Sequence, residues 1–124
     1  MKIVVAIFIF IHGFAHIVGF LAYWKILKNP DMPYKTTIIF DKVNVGDVGM
    51  RILGVIWLLT AVAFAYVGYG VLTQMPLWLS YAWIVTAISM ALCISGWPET
   101  KFGVIANVLI SLFLVLEKNL HWLQ

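Results

Sequence analysis

Charge is what this sequence has least of. Only 10% of its 124 residues are Asp, Glu, Lys or Arg, against about 25% in a soluble globular domain. The single cysteine, Cys93, excludes an intramolecular disulfide and any CxxC redox pair. With five Asp and Glu in all, no recognisable nucleophile, acid/base pair or complete metal set stands out. There is no ATP-binding motif either. The net charge of +3 reads as membrane topology and not as a nucleic-acid surface. What remains is apolar: 64% of the residues are hydrophobic, with mean hydropathy +1.02. A single soluble core of this size could not bury that much apolar surface.

The apolar residues fall in four long runs, so the expected class is an all-α integral membrane protein, an antiparallel four-helix transmembrane bundle forming one domain. The runs are far longer than the ~9–11 alternating residues of a barrel strand. Helices are expected at about 3–24, 48–72, 77–95 and 98–116, with a polar loop at 25–46. The first run, IVVAIFIFIHGFAHIVGFLAYW, has the ~20 apolar residues that cross a ~30 Å hydrocarbon layer. It is too long for a signal peptide and ends in Tyr23, Trp24 and Lys25, an interfacial anchor, so it should remain uncleaved.

Between the runs, Asn29-Pro30 and Met32-Pro33 break any helix, and Thr36 to Phe40 suits a short extended or interfacial piece. Asp47 fits the N-cap of the second helix, with Arg51 at i+4 as its ion partner at the membrane edge. Gly54, Leu58, Ala61, Ala65 and Gly68 share a stripe that permits close helix approach. Thr73-Gln74-Met75-Pro76 reads as a tight turn. Trp78, Tyr81 and Trp83 form an aromatic belt. Gly96 suits a helix end, and Pro98 and Glu99 the first turn of the fourth helix. Lys118, His121 and Trp122 give the tail interface character. Lys25, Lys28, Lys35, Lys42, Arg51 and Lys101 lie on the side of the first and third loops, and only Lys2 and Lys118 on the other. Six against two puts those loops in the cytoplasm and both termini outside the cytoplasmic (inner) membrane.

His12 and His16 stand one helical turn apart in the first run and share a face. Ionisable groups at such depth are costly and face the bundle interior. At ~1.5 Å per residue, His16 is about 12 Å inside Trp24, and Asn107 about 9 Å inside Lys101. Thr86, Ser89 or Met90, and Cys93 line the third helix, while Gly103, Asn107 and Ser111 repeat at i+4 in the fourth. The candidate ligand-binding residues are therefore His12, His16, Arg51, Thr86, Cys93, Asn107 and Ser111. The most economical reading has the histidines hydrogen-bonding Asn107, Ser111 or Thr86, and in particular has His16 meeting Asn107. Arg51 also suits a snorkelling anchor, Cys93 a small buried apolar residue, and the tryptophans interfacial anchors. The histidine pair could instead ligate a metal or haem, although Gly13, Phe14 and Ala15 between them supply no general base of the HEXXH kind.

HGFAHIVGF, RILGVIWLLTAVAF and CISGWPETKFGVIANVLI together resemble a group of small bacterial four-helix membrane proteins, and in layout the DoxX-like proteins. The latter resemblance implies quinone or thiol redox, or a membrane accessory role. The function expected is a non-enzymatic membrane protein that binds a small lipophilic ligand or serves as an accessory subunit. A metal-, haem- or quinone-dependent redox protein and an oligomeric transporter or channel are the alternatives. The partners expected are the lipid bilayer and a homo-oligomer or larger membrane complex, with no nucleic acid.

Overall fold

A computed structural model describes residues 2–26, 34–97 and 99–120. The expected breaks at Pro30 and Pro33, the role given to Pro98, and the His121–Trp122 tail lie outside them. The described residues form α1 (Lys2–Tyr23), β1 (Thr37–Ile38), β2 (Val43–Asn44), α2 (Gly46–Thr73), α3 (Trp78–Ser95) and α4 (Lys101–Leu120). All four helices are long and apolar enough to cross a membrane. Their outward residues are apolar too, with Ile11, Phe14, Val62, Ile84 and Phe102 all more than half exposed. In water this would be a liability; against lipid tails it is neutral.

α1 lies against α2 along its length because each helix offers glycines to the other's aromatics. A Cβ on Gly13 would fall 2.7 Å from Phe64 Cβ, and one on Gly19 would fall 2.6 Å from the Trp57 ring. In return, Gly54 receives Trp24 and Gly68 receives Phe10. Of the expected α2 stripe, Gly54, Ala61 and Gly68 are buried while Ala65 is exposed, which narrows it to one residue in seven. α4 packs on α3, where Gly103 is in contact with Cys93 Sγ. α2 also contacts α3, whereas α1 and α4 barely meet.

Several local expectations change. Asp47 does not cap α2: Val45 holds that position without a side-chain bond, and Asn44 Oδ1 accepts from the Gly46 N–H at 3.0 Å. Asp47 instead accepts from the Tyr34 hydroxyl and lies 3.7 Å from Lys25 Nζ, so Arg51 is not its ion partner. The Arg51 guanidinium sits 5.8 Å over the Trp24 ring. Part of the expected extended piece pairs as a two-residue hairpin, Thr37 opposite Asn44 and Ile38 opposite Val43. The Ile39 N–H then ties it to the end of α3 through Ser95 O at 2.8 Å.

Gly96 ends α3 with φ −92, so it is not needed there for a left-handed turn. It is needed for space, since a Cβ would fall 2.9 Å from Thr100 and 3.2 Å from the Tyr23 hydroxyl. α4 begins at Lys101, later than expected, because Thr100 turns back onto α3. Its hydroxyl donates to Cys93 O and its carbonyl accepts from the Gly103 N–H at 3.0 Å. Glu99 is thereby left outside the helix. At the other end α4 continues to Leu120, which carries Glu117 onto its buried face.

Candidate functional site

The polar interior is a directional ring of hydrogen bonds among three helices. His12 Nε2 lies 2.9 Å from Asn107 Oδ1. Asn107 Nδ2 donates to Ser89 Oγ at 2.9 Å. Ser89 Oγ lies 2.6 Å from His16 Nε2, and His16 Nδ1 lies 2.8 Å from His12 O. Polarity fixes the protons. A carbonyl oxygen only accepts, so His12 carries its hydrogen on Nε2 and His16 on Nδ1. Ser89 accepts from Asn107 and donates to His16 Nε2. Every bond is satisfied with both imidazoles neutral and in opposite tautomers. Closure of this kind is what hydrocarbon demands, because an unpaired polar group there costs several kcal/mol.

His16 and Asn107 therefore do not bond directly, as the spacing suggested; Ser89 joins them, and Asn107 pairs with His12. Ser89 sits at i−4 from Cys93 and i+3 from Thr86, so it was on the right stripe but among no candidate ligands. Cys93 is buried, with Sγ 3.7 Å from Asn107 Nδ2. Thr86 is buried, its hydroxyl has no hydrogen-bond partner among the described residues, and it stands apart from the ring. Ser111 bonds back to Asn107 O at 2.9 Å, and Arg51 is exposed. Aromatic residues wall the histidines: His16 is 5.0 Å from Trp57 and 5.2 Å from Phe64, centroid to centroid. The tryptophans are expected mostly as interfacial anchors, but Trp57 is buried, because Gly19 makes room for it.

Beside the ring lies a cleft of about 300 Å³, at the lower end of the ~300–1,000 Å³ typical of small-molecule sites. One wall is α1, from Phe8 through His12, Ala15 and His16 to Gly19; the other is Phe102, Gly103 and Ala106 of α4. Trp57 and Cys93 also line it, as do Glu99 and Thr100. Its origin is visible in the packing. α1 is drawn to α2 by the glycine contacts and α4 to α3 by Gly103, while small residues face one another across the gap. Ile11 and Phe102 are 66% and 74% exposed, so the cleft opens sideways onto the apolar flank of the helices.

Near Glu99, Lys35 Nζ is shared between Glu99 Oε1 at 3.0 Å and Asp41 Oδ1 at 2.9 Å. The hydrogen bond to Asp41 raises the Lys35 pKa above its ordinary value, and the same bond lowers that of Asp41. Glu99 Oε2 is buried and has no hydrogen-bond partner among the described residues.

A metal or haem fits this donor set poorly. Among the described residues no group of three His, Cys, Asp or Glu is assembled for a metal. His12 Nε2 and both His16 nitrogens are already engaged in the ring. No family model, curated protein or solved structure matches the chain.

Proposed function

We propose that the chain is a multi-pass inner-membrane protein that holds a small lipophilic ligand in the cleft between α1 and α4, without doing chemistry on it. The observation that carries this is the cleft itself, set beside the buried ring and open to the side on which lipid would lie. Its lining is mostly apolar with a few convergent polar groups, the usual make-up of a small-molecule site. In this reading the four helices run antiparallel across the bilayer, and the excess of Lys and Arg on one side supports a cytoplasmic 25–46 loop with both termini outside.

Trp57 lines the cleft and makes the test direct. With purified protein in nanodiscs, a bromoalkane should quench a fluorescence component that Trp57→Phe removes. Ala106→Phe, which fills the cleft, should protect it. Native mass spectrometry should find a small molecule retained by the wild type and lost from Ala106→Phe. Quenching that is the same in all three proteins, with no retained ligand, would sink the proposal. Reporter fusions in the loop test the orientation: activity of a periplasm-dependent reporter there would reverse it.

A further inference from the structure

We infer that the ligand is a single-chain amphiphile whose head donates a hydrogen bond, an alcohol or an amine, with Glu99 Oε2 as its acceptor. This rests on the cleft being a ligand site and specifies what enters it.

Glu99 offers an acceptor that lacks a donor among the described residues. Buried carboxylate oxygens are nearly always bonded, and Glu99 Oε2 is buried without a partner among the described residues. The obvious donor is already committed: Lys35 Nζ sits on Glu99 Oε1 and on Asp41. Glu99 lines the cleft with Oε2 covered at its wall, so the carboxylate turns toward the cleft to meet a donor that enters there. The histidine ring leaves a second acceptor of the same sign. Because His12 carries its hydrogen on Nε2, its Nδ1 presents only a lone pair, and His12 lines the cleft as well. Both of these stations ask for donors; the cleft also carries one donor, the Trp57 Nε1–H, buried without an acceptor among the described residues, which the oxygen of an alcohol head can meet.

Charge sharpens the choice. Among the described residues two carboxylates share the one Lys35 ammonium at this corner, so one negative charge is left over between them. A carboxylate or phosphate head would add a third anion, and like charges brought together are disfavoured. Lys101 does not relieve this, because its Nζ lies 5.5 Å over the Phe102 ring and it does not line the cleft. An alcohol or amine meets the unpaired oxygen without that cost.

The chain follows from the walls. From Phe8 to Gly19 the cleft extends about 16 Å at ~1.5 Å per residue. Its ~300 Å³ holds about ten non-hydrogen atoms at ~30 Å³ each. That suits one alkyl chain entering past Ile11 and Phe102, with its head at the Glu99 end, and leaves no room inside the cleft for a second.

The test uses the full chain in nanodiscs and four brominated probes of equal chain length: alcohol, amine, carboxylate and headless alkane. The readout is quenching of the Trp57 component, taken as wild type minus Trp57→Phe. The alcohol and amine should act at about tenfold lower concentration than the other two, the scale of one hydrogen bond to a charged acceptor. Glu99→Gln keeps a carbonyl acceptor but removes the charge, so it should reduce the alcohol's advantage to that of a neutral hydrogen bond and cost the amine more than the alcohol. Glu99→Leu should bring both down to the headless alkane. If that variant fails to fold, the wild-type series and Glu99→Gln still decide. Equal potency for all four probes, or a stronger carboxylate, overturns the inference while leaving the cleft a ligand site. Absence of Trp57 quenching by any probe overturns both.

Discussion

Removing the Ser89 hydroxyl opens the ring at its junction, and Ser89→Ala makes that change with almost no loss of volume. The hydroxyl serves two partners, donating to His16 Nε2 and accepting from Asn107 Nδ2. Hydrogen bonds between membrane helices average ~0.6 kcal/mol and reach ~1.7, so losing two should cost about 1–3 kcal/mol. Equilibrium unfolding in mixed detergent micelles reads that cost. A double-mutant cycle identifies its origin. Ser89→Ala and Asn107→Leu share one bond, so the pair should lose about 0.6–1.7 kcal/mol less than the sum of the singles. Ser89→Ala with Thr73→Ala should add, since the Thr73 hydroxyl donates to Tyr69 O within α2 and shares no partner with Ser89 among the described residues. Nitrogen-15 spectra of the imidazoles give an independent view, with the proton on Nε2 of His12 and on Nδ1 of His16. A Ser89→Ala loss below ~0.3 kcal/mol, strict additivity with Asn107→Leu, or a shared tautomer would each refute the directional ring.

Close helix contact predicts that Gly103→Ala, whose new Cβ would sit 2.5 Å from Cys93 Sγ, destabilises by about 1–3 kcal/mol, and that Cys93→Ala in the same background recovers part of the loss. The loop tether predicts a pH window readable by hydrogen exchange at the Ile39 amide. Asp41, held below its ordinary 3.8 by Lys35, contributes above the unfolded value and loses that contribution as pH falls through its folded one. Lys35, held above 10.5, contributes below that value and loses its contribution as pH rises through the folded one. Protection of Ile39 should therefore be flat between these limits and fall at both ends; a fall centred near neutrality would implicate another group.

The helices were legible because their signal is local. Each apolar run is long enough to span hydrocarbon, and the observed ends differ from the expected ones by no more than about four residues. The misplaced details depend on groups far away in sequence. α4 starts late because Thr100 bonds Cys93, seven positions back and in another helix. Asp47 is drawn off its cap by Tyr34 and Lys25 across the loop. Glu99 looked like a first-turn anion, yet its partner is Lys35, 64 residues away. Spacing along one helix cannot reveal such partners.

The polar site was partly legible for the same reason. Facing positions can be read from an i, i+4 pair such as His12 and His16 or Gly103 and Asn107, so the helix faces that meet were identifiable. Which atom bonds which was not. A serine is easily passed over beside an asparagine, because it offers one hydrogen against two. Yet a closed ring needs a group that both donates and accepts between Asn107 and His16, and only a hydroxyl is small enough to do both from one atom. Thr86 has one too, one turn away on α3, but among the described residues its hydroxyl meets no partner while that of Ser89 meets two. Once His12 is seen to take Asn107 Oδ1, the amide's remaining function is donation, and a neutral His16 nitrogen needs a donor. Ser89 is the residue that converts one into the other, and for that reason its loss should be felt by both histidine-bearing and asparagine-bearing helices at once.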